Sequence, residues 1–310
     1  MSETHRIADA GFHSGELAVQ RRAGVSDEAA RLAGMLQPVE LTGGIVKFLA
    51  ARTFAALTAR DNAGRLWVTP LTGPPGFLSV ASSTALAIDA TISPGDPLHG
   101  LEAGQQAGMN VIEFSARRRM RINGTLAQVT NRGLVLEVEQ AYGNCPQYIQ
   151  QRALTPSHPG LGAAAGARRD TALSPADAGL IRSADTFFLG TTHPERGTDA
   201  SHRGGAPGFV RVAGNQLWWP DYPGNNLFNS FGNLAVNPEA ALLFLDFVSG
   251  RTLQLSGTAR VEWNEPGQPG DDGHTGRLVR FTLEQVAAGR SLHARQTAHQ
   301  AYPLNPNLTS

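Results

Sequence analysis

The stretch Phe54–Val80, FAALTARDNAGRLWVTPLTGPPGFLSV, is answered later in the chain by Phe187–Val212, FFLGTTHPERGTDASHRGGAPGFVRV. Phe54, Thr58 and Gly64 recur as Phe187, Thr191 and Gly197, each 133 positions on. Pro75-Gly76-Phe77 and Val80 recur as Pro207-Gly208-Phe209 and Val212, 132 positions on. Farther along, Glu113-Phe114 is matched by Asp246-Phe247 and Gly124-Thr125 by Gly257-Thr258, at 133 again. Landmarks kept in order at one domain-sized spacing mark a duplicated unit. The single-residue slip is what a change within one hairpin produces.

Each copy opens on a short helix and passes into β-branched and aromatic runs bounded by Gly, Asn and Pro, so the unit reads as a small β-barrel with helical trim. In the second copy Ser174-Pro175-Ala176-Asp177 supplies a capping serine, a proline at the first helical position and an early carboxylate, which predicts a helix to about Ser183. Strands are expected over residues 186–191, 208–212, 216–219, 241–247 and 252–263. Thr282-Leu283-Glu284-Gln285 reads as a capping box for a late helix stopped at Gly289. Residues 1–40 precede the repeat and hold one expected helix near Ser26–Leu36, capped by Ser26. The organisation is therefore an N-terminal extension (1–40), a first barrel (41–153), a Pro/Gly/Ala-rich linker (154–170) and a second barrel (171–310).

Bulk composition agrees. The 310 residues suffice for two domains, and 35 Gly with 19 Pro favour short strands and tight turns over long helices. Apolar residues reach 41% against 17% charged, which suits a globule with extensive buried surface and leaves room for a homodimer face. Lys plus Arg and Asp plus Glu both total 26, so no net charge points to nucleic acid or an anionic membrane. The single cysteine, Cys145, forms no internal disulfide, and the first residues show neither a signal core nor a long apolar span, so the expected compartment is the cytoplasm.

Few local motifs carry chemistry. Gly160, Gly162 and Ala165 spell a dinucleotide fingerprint without its preceding strand, and read as linker. No metal-ligand spacing of His or Cys is present, so no metal is expected. Ser201 and His202 point to opposite faces of a strand and cannot share a proton. Ser201 and Arg203 share a face, and Gly204-Gly205 lets backbone approach closely, so this segment reads as an anion site or a solvated hairpin. Asn225, Asn226, Asn229, Ser230 and Asn233 offer neutral donors and acceptors for a polar heterocycle or a phosphate, or simply form turns. Arg117-Arg118-Arg119, with Arg121, is the most basic run, either a site or a surface feature. Cys145 lacks a neighbouring base and reads as structural. Trp218, Trp219, Phe228 and Phe231 read first as core.

Together, Phe12–Glu16, Pro75-Gly76-Phe77, the arginine run with Asn123-Gly124, Gly143–Gln150, Ser201–Val212, Pro220-Asp221-Tyr222 with Gly224-Asn225, and Gly232-Asn233-Leu234 with Asn237-Pro238 resemble a known family. The chain resembles the pyridoxamine 5'-phosphate oxidase-related, FMN-binding split-barrel proteins, in particular a long bacterial branch with two barrels per chain. The resemblance implies a flavin at the interface of two barrels, its phosphate on basic and hydroxyl side chains, and here a pseudo-dimer within one polypeptide whose two sites can diverge. It puts the cofactor, FMN ahead of FAD or haem, on Ser201, His202, Arg203, Gly204, Gly205, Asn229, Ser230, Asn233, Arg117, Arg118 and Arg119. Ahead of Asn237-Pro238 the chain has Phe228-Asn229-Ser230 where the vitamin-forming oxidases carry a Ser-Arg-Lys cluster, which argues against pyridoxamine phosphate oxidation itself. The expected function is a flavin-dependent oxidoreductase acting on a small-molecule substrate or with a redox partner protein. The alternatives are a flavin or haem carrier, with His193, His202 or His99 as axial ligand, and an electron-transfer module served by a separate reductase.

Overall fold

The computed structural model describes residues 11–37, 40–156 and 167–309. Gly160, Gly162 and Ala165, the fingerprint letters, lie outside the described residues. Helices α1 (Ser14–Ala23) and α2 (Ser26–Ala30) precede α3 (Gly43–Ala50), which opens the first barrel. That barrel's sheet is formed by β1 (Phe54–Arg60), β2 (Leu66–Thr72), β3 (Leu78–Ser82), β4 (Ala85–Ile88), β5 (Gln106–Glu113), β6 (Arg118–Val129) and β7 (Leu134–Asn144). Then come β8 (Gln151–Pro156), β9 (Arg168–Asp170) and α4 (Pro175–Ser183). The second barrel holds β10 (Thr186–His193), β11 (Gly197–Gly204), β12 (Arg211–Ala213), β13 (Gln216–Pro220), α5 (Asn229–Val236), β14 (Glu239–Leu245), β15 (Thr252–Trp263) and β16 (Arg277–Gly289), and β17 (Ala294–Gln300) follows it.

The sheets run β2-β1-β5-β6-β7-β4-β3 and β11-β10-β14-β15-β16-β13-β12, the same path strand for strand. Backbone detail repeats with it. Gly76 and Gly208 both take left-handed φ, 96° and 94°, which only glycine adopts at no cost. The long hairpins carry the same bulge, ahead of Gly124 and of Gly257. A Cβ on Gly124 would stand 1.9 Å from the Glu137 carbonyl oxygen, and one on Gly257 2.1 Å from that of Thr282. The first hairpins differ. Arg60 pairs Leu66 across residues 61–65, whereas His193 pairs Gly197 across the shorter 194–196. Gly64 therefore sits in a loop while Gly197 sits in the ladder, and the sequence match at that landmark is not a structural equivalence.

The two barrels pack through strands buried on both faces. In β1, Ala55, Leu57 and Ala59 enter the core of their own barrel, while Phe54 and Ala56 face a shared core with Phe188, Ala241, Leu243 and Leu245 of the second barrel. Phe187 and Leu189 of β10 alternate with Phe188 in the same way. This double burial accounts for the high apolar content. β8 and β17, each the strand that follows the last long strand of its barrel, pair with one another across the junction. Leu154–Pro156 is thus the end of a paired strand, and Arg168–Asp170 pairs with β16.

The fold is mainly β with two barrels in tandem, and α4 starts on the expected cap, with Ser174 and Asp177 bonding each other's backbone. Residues 282–289 are not a helix. They continue β16, with Phe281, Leu283 and Val286 turned into the core, so the alternation of apolar residues overrides the capping-box letters. In the N-terminal segment Ser26 is the first helical residue of α2, not its cap, and the chain then forms a short 3-10 turn at Ala33–Leu36. α1 and α5 were not anticipated. Among the described residues no helix is long and apolar enough to cross a membrane.

Candidate functional site

A cleft opens where β6 and the end of β7, from the first barrel, face β11, the loop after β13 and α5, from the second. It has two adjoining lobes, with empty volumes of about 490 and 630 Å³. Both are lined by Arg121, Asn144, Arg203, Asp221 and Tyr222.

Arg119, Arg121 and Asn123 alternate along β6 and so share one face. The Arg121 guanidinium donates to Asp199 Oδ2 at 2.7 Å and to Asn229 Oδ1 at 3.1 Å. Ser230 donates its hydroxyl to the same Asp199 oxygen at 3.3 Å. Arg203 reaches Asp221 at only 3.9 Å, while Arg277 donates to that carboxylate at 2.8 Å. Aromatic rings underlie the cations, Phe231 beneath Arg203 and Phe228 beneath Arg277.

Arg119, Arg121, Arg203 and Arg277 thus meet two partner carboxylates, Asp199 and Asp221. The site carries an excess of two positive charges. Burial and then the neighbouring Arg121 and Arg203 pull Arg119 down to about 9. Burial, opposed by Asp221, pulls Arg203 to about 10. Both stay cationic near neutral pH, and each is held where an added anion would be favoured. Burial raises Asp221, against the pull of Arg277 and Arg203. Around the cations Asn144 Nδ2 and Arg203 Nε are buried without hydrogen-bond partners. Orphaned polar groups of this kind ask for a ligand or water. The lobe that holds Arg119 also has an aromatic wall. Tyr148, in a left-handed conformation at φ 61°, stands 4.8 Å from Tyr222, with Phe209 and Trp219 behind them.

The expected site residues divide. Arg203, Ser230, Asn229 and Arg119 come together at the cleft. His202 lines it but is turned inward, 5.6 Å from the Phe188 ring. Arg119 donates to His202 Nδ1 at 2.7 Å, so the proton of the neutral imidazole sits on Nε2. Burial first, then three arginines, hold this histidine well below its ordinary pKa. Ser201 is fully buried with its hydroxyl unpaired; it lies on the strand face of Asp199 and Arg203 but is not part of the cleft lining. Gly204 passes tightly beneath Tyr148, and Gly205 accommodates the Phe209 ring. Asn233 binds Thr191 and His13 instead of facing the cleft. Arg117 and Arg118 do not join the cluster. Arg117 donates to the Ile149 carbonyl, and Arg118 lies exposed near Glu113. Cys145 is half-buried on the cleft wall near Arg119. His99 and His193 lie outside the cleft.

Sequence reasoning placed Arg121 in the basic run but missed Asp199, Asp221, Arg277 and Tyr142. Period-two alternation over Arg119, Arg121 and Asn123 was the available signal for separating the inward arginines from Arg118.

The position related by the internal duplication is furnished differently. Thr252 and Gln254 stand where Arg119 and Arg121 do, 133 positions on. Val68 faces Thr58 as Asp199 faces Thr191, and Thr72 faces Phe54 as Arg203 faces Phe187. Gln254 donates to the Val68 carbonyl at 3.1 Å and to Asp96 at 3.0 Å. Asp96 also accepts from Thr69 and the Leu98 amide. The second position is closed around a carboxylate of the protein itself.

Residues 173–270 match the family described as pyridoxamine 5'-phosphate oxidase. No curated protein matches the chain. Among solved structures, HupZ of Group A Streptococcus is 11% identical, with a TM-score of 0.32 over 39% of this chain and 97% of that one. A Lactobacillus delbrueckii protein assigned as a pyridoxamine 5'-phosphate oxidase is 15% identical, TM-score 0.30, over 37% and 92%. HutZ, the heme storage protein of Vibrio cholerae, is 14% identical, TM-score 0.30, over 39% and 98%.

Proposed function

We propose that this chain, which residues 173–270 place in the pyridoxamine 5'-phosphate oxidase-related split-barrel family, binds one FMN in the Arg119–Arg121–Arg203 cleft and acts as a flavin-dependent oxidoreductase. The observation that carries the proposal is the excess of two positive charges lining the cleft. A phosphate monoester, with a charge near −2 at neutral pH, is the complementary ligand. The residues fit such a group: Arg203 is only loosely engaged by Asp221, and Arg121 is fixed by Asp199 and Asn229. Tyr148 and Tyr222 give a flat ring system an aromatic wall beside the cations.

When bound, the flavin supplies reversible hydride or electron-pair chemistry between a donor and an acceptor. The protein binds and orients. Arg203 and Arg119 take the phosphate, Arg121 braces them against Asp199, and the barrel–barrel junction shields the cleft floor from water. The donor is a small molecule or a redox partner protein. Phe228-Asn229-Ser230 contributes only neutral groups, and the positive charge comes from β6 of the first barrel and from β11 and β16 of the second, which argues against pyridoxamine phosphate as substrate. A haem carrier is the weaker reading. His202 alone of the axial candidates lines the cleft, and its free nitrogen carries the proton that a metal ligand must lose.

The test is the visible spectrum of the purified protein titrated in turn with FMN, FAD and haem. Saturable flavin bands with FMN tighter than FAD are expected. A Soret band with no flavin binding overturns the proposal.

A further inference from the structure

Helix α1 presents an unusual face to the second barrel. His13, Glu16 and Gln20 follow one another at helical i, i+3, i+7 spacing and are 8%, 2% and 1% exposed. A helix of this length ordinarily buries apolar side chains along such a stripe. Here every polar member of the stripe reaches the segment that walls the cleft. Gln20 Nε2 donates to the Leu227 carbonyl at 3.1 Å, just before Phe228 turns left-handed at φ 56°. Asn229 Nδ2 donates to Glu16 Oε1 at 3.1 Å, and His13 Nε2 lies 3.1 Å from Asn233 Oδ1. Between these contacts the backbones nearly touch, since a Cβ on Gly15 would stand 2.2 Å from the Gly232 carbonyl oxygen.

The Glu16 contact reaches the cations. Its two carboxyl oxygens have two separate donors, the His13 amide at 2.9 Å and Asn229 Nδ2. With its amide nitrogen held by Glu16, Asn229 must turn its carbonyl oxygen the other way, toward Arg121. Arg121 is thereby gripped from both sides, by Asn229 and by Asp199.

We propose that α1 is a built-in organiser of the anion site and that Glu16 is a positioning residue, orienting Asn229 so that Arg121 is held in its binding geometry. The inference rests on the reading of the cleft as a phosphate site, but its first measurement does not need a ligand. Glu16→Gln keeps the shape yet offers one acceptor to two donors, so one of the two bonds is lost. Asn229→Asp puts an acceptor against an acceptor. In the double variant the introduced glutamine accepts from the His13 amide and donates to the introduced aspartate, whose second oxygen still faces Arg121.

The experiment is amide hydrogen exchange of residues 227–233 in the unloaded full chain above about pH 8, where Glu16 is ionised and both its oxygens accept, with thermal melting as a control on folding. Each single variant is expected to speed exchange there by about tenfold, and the double variant is expected to restore it. Unchanged exchange in Glu16→Gln, or additive acceleration in the double variant, overturns the proposal. The second measurement is FMN titration of the wild type and Glu16→Gln, with affinity expected to fall about tenfold in the variant. If the wild type binds no FMN while the exchange rescue holds, the cofactor assignment fails and the role of Glu16 stands. If the wild type binds FMN and Glu16→Gln binds equally well, the role of Glu16 in the site is refuted.

Discussion

Arg203→Gln isolates the anion-binding function from the fold. Its guanidinium contacts Asp221 only at 3.9 Å, and Arg277 remains to neutralise that carboxylate at 2.8 Å. Removing Arg203 therefore leaves no buried carboxylate unpaired, and the loss of stability should stay within about 1 kcal/mol, the range of a weak ion pair. Binding is another matter. Two unit charges about 4 Å apart attract by roughly 4 kcal/mol at an effective dielectric of about 20. The net contribution of a charge-assisted hydrogen bond after desolvation is nearer 1.5–3 kcal/mol. FMN affinity should therefore fall by roughly 10- to 150-fold, since about 1.4 kcal/mol is a factor of ten. Riboflavin, which has the ring and no phosphate, should lose less than about threefold, because the ring contacts are untouched. Fluorescence-quenching titrations of both ligands at one low ionic strength, alongside thermal melting, separate the cases. An FMN affinity within a factor of two of the wild type, with the fold intact, refutes the assignment of the phosphate to this cluster.

Spectral titration should saturate at one FMN per chain, because Gln254 and Asp96 replace the cations at the duplicated position, and two equivalents would refute that asymmetry. Gly124→Ala and Gly257→Ala should each destabilise by about 1–3 kcal/mol, since both place a Cβ against a carbonyl oxygen at the same bulge. Urea unfolding that leaves either variant as stable as the wild type would contradict the shared geometry. Burial lifts Glu16 from 4.5 to about 7, so it favours its neutral form on folding, and its stabilisation, full below 4.5, is lost as pH rises to about 7. Burial, then His193, lowers His13 from 6.5 to about 4, so stability is instead gained as pH rises from about 4 through 6.5. Each change is worth roughly 3 kcal/mol, and between about 4.5 and 6.5 the two oppose one another. Glu16→Gln should therefore unmask a steep rise in stability over that window, and parallel pH profiles for variant and wild type would rule the balance out.

The duplicated barrel was legible in the sequence because its landmarks answer to local rules. Gly76 and Gly208 need a left-handed turn, and Gly124 and Gly257 leave no room for a Cβ, so these letters persist at a fixed spacing. The site was legible only in part. Arg203, Ser230 and Arg119 lie in visibly polar or basic runs, whereas Asp199 and Asp221 acquire their meaning from arginines that lie 78 residues away in one case and 56 in the other. Nothing local sets them apart from other aspartates. Residues 282–285 misled because a capping box is a four-letter signal, while the sheet fixes β16 through pairing along its whole length with β15. α1 escaped notice for the converse reason. Its buried stripe is polar, and periodicity methods look for apolar ones.

The asymmetry between the two positions follows from fusing them in one chain. In a homodimer every substitution appears in both interfacial sites, so a change that closes one site closes the other. Duplication removes that constraint while keeping the shared core, to which both barrels must still contribute Phe54, Phe188, Leu243 and their neighbours. The core explains why the second position can lack cations while the two barrels stay joined. Between β13 and β14 the second barrel carries α5, against which α1 packs through Gly15 and Gly232. Between β4 and β5 the first barrel carries instead the turn that delivers Asp96 to Gln254. The same connection, in the two halves of one chain, thus brings the neutral groups of α5 to Arg121 in one and a carboxylate to Gln254 in the other. If the closure is electrostatic, relieving Asp96 should not by itself create a second flavin site, because Thr252, Gln254 and Thr72 still supply no positive charge in place of Arg119, Arg121 and Arg203. Asp96→Asn should leave the stoichiometry at one FMN per chain, and a second equivalent in that variant would show that the charge of Asp96, not the missing cations, keeps the position shut.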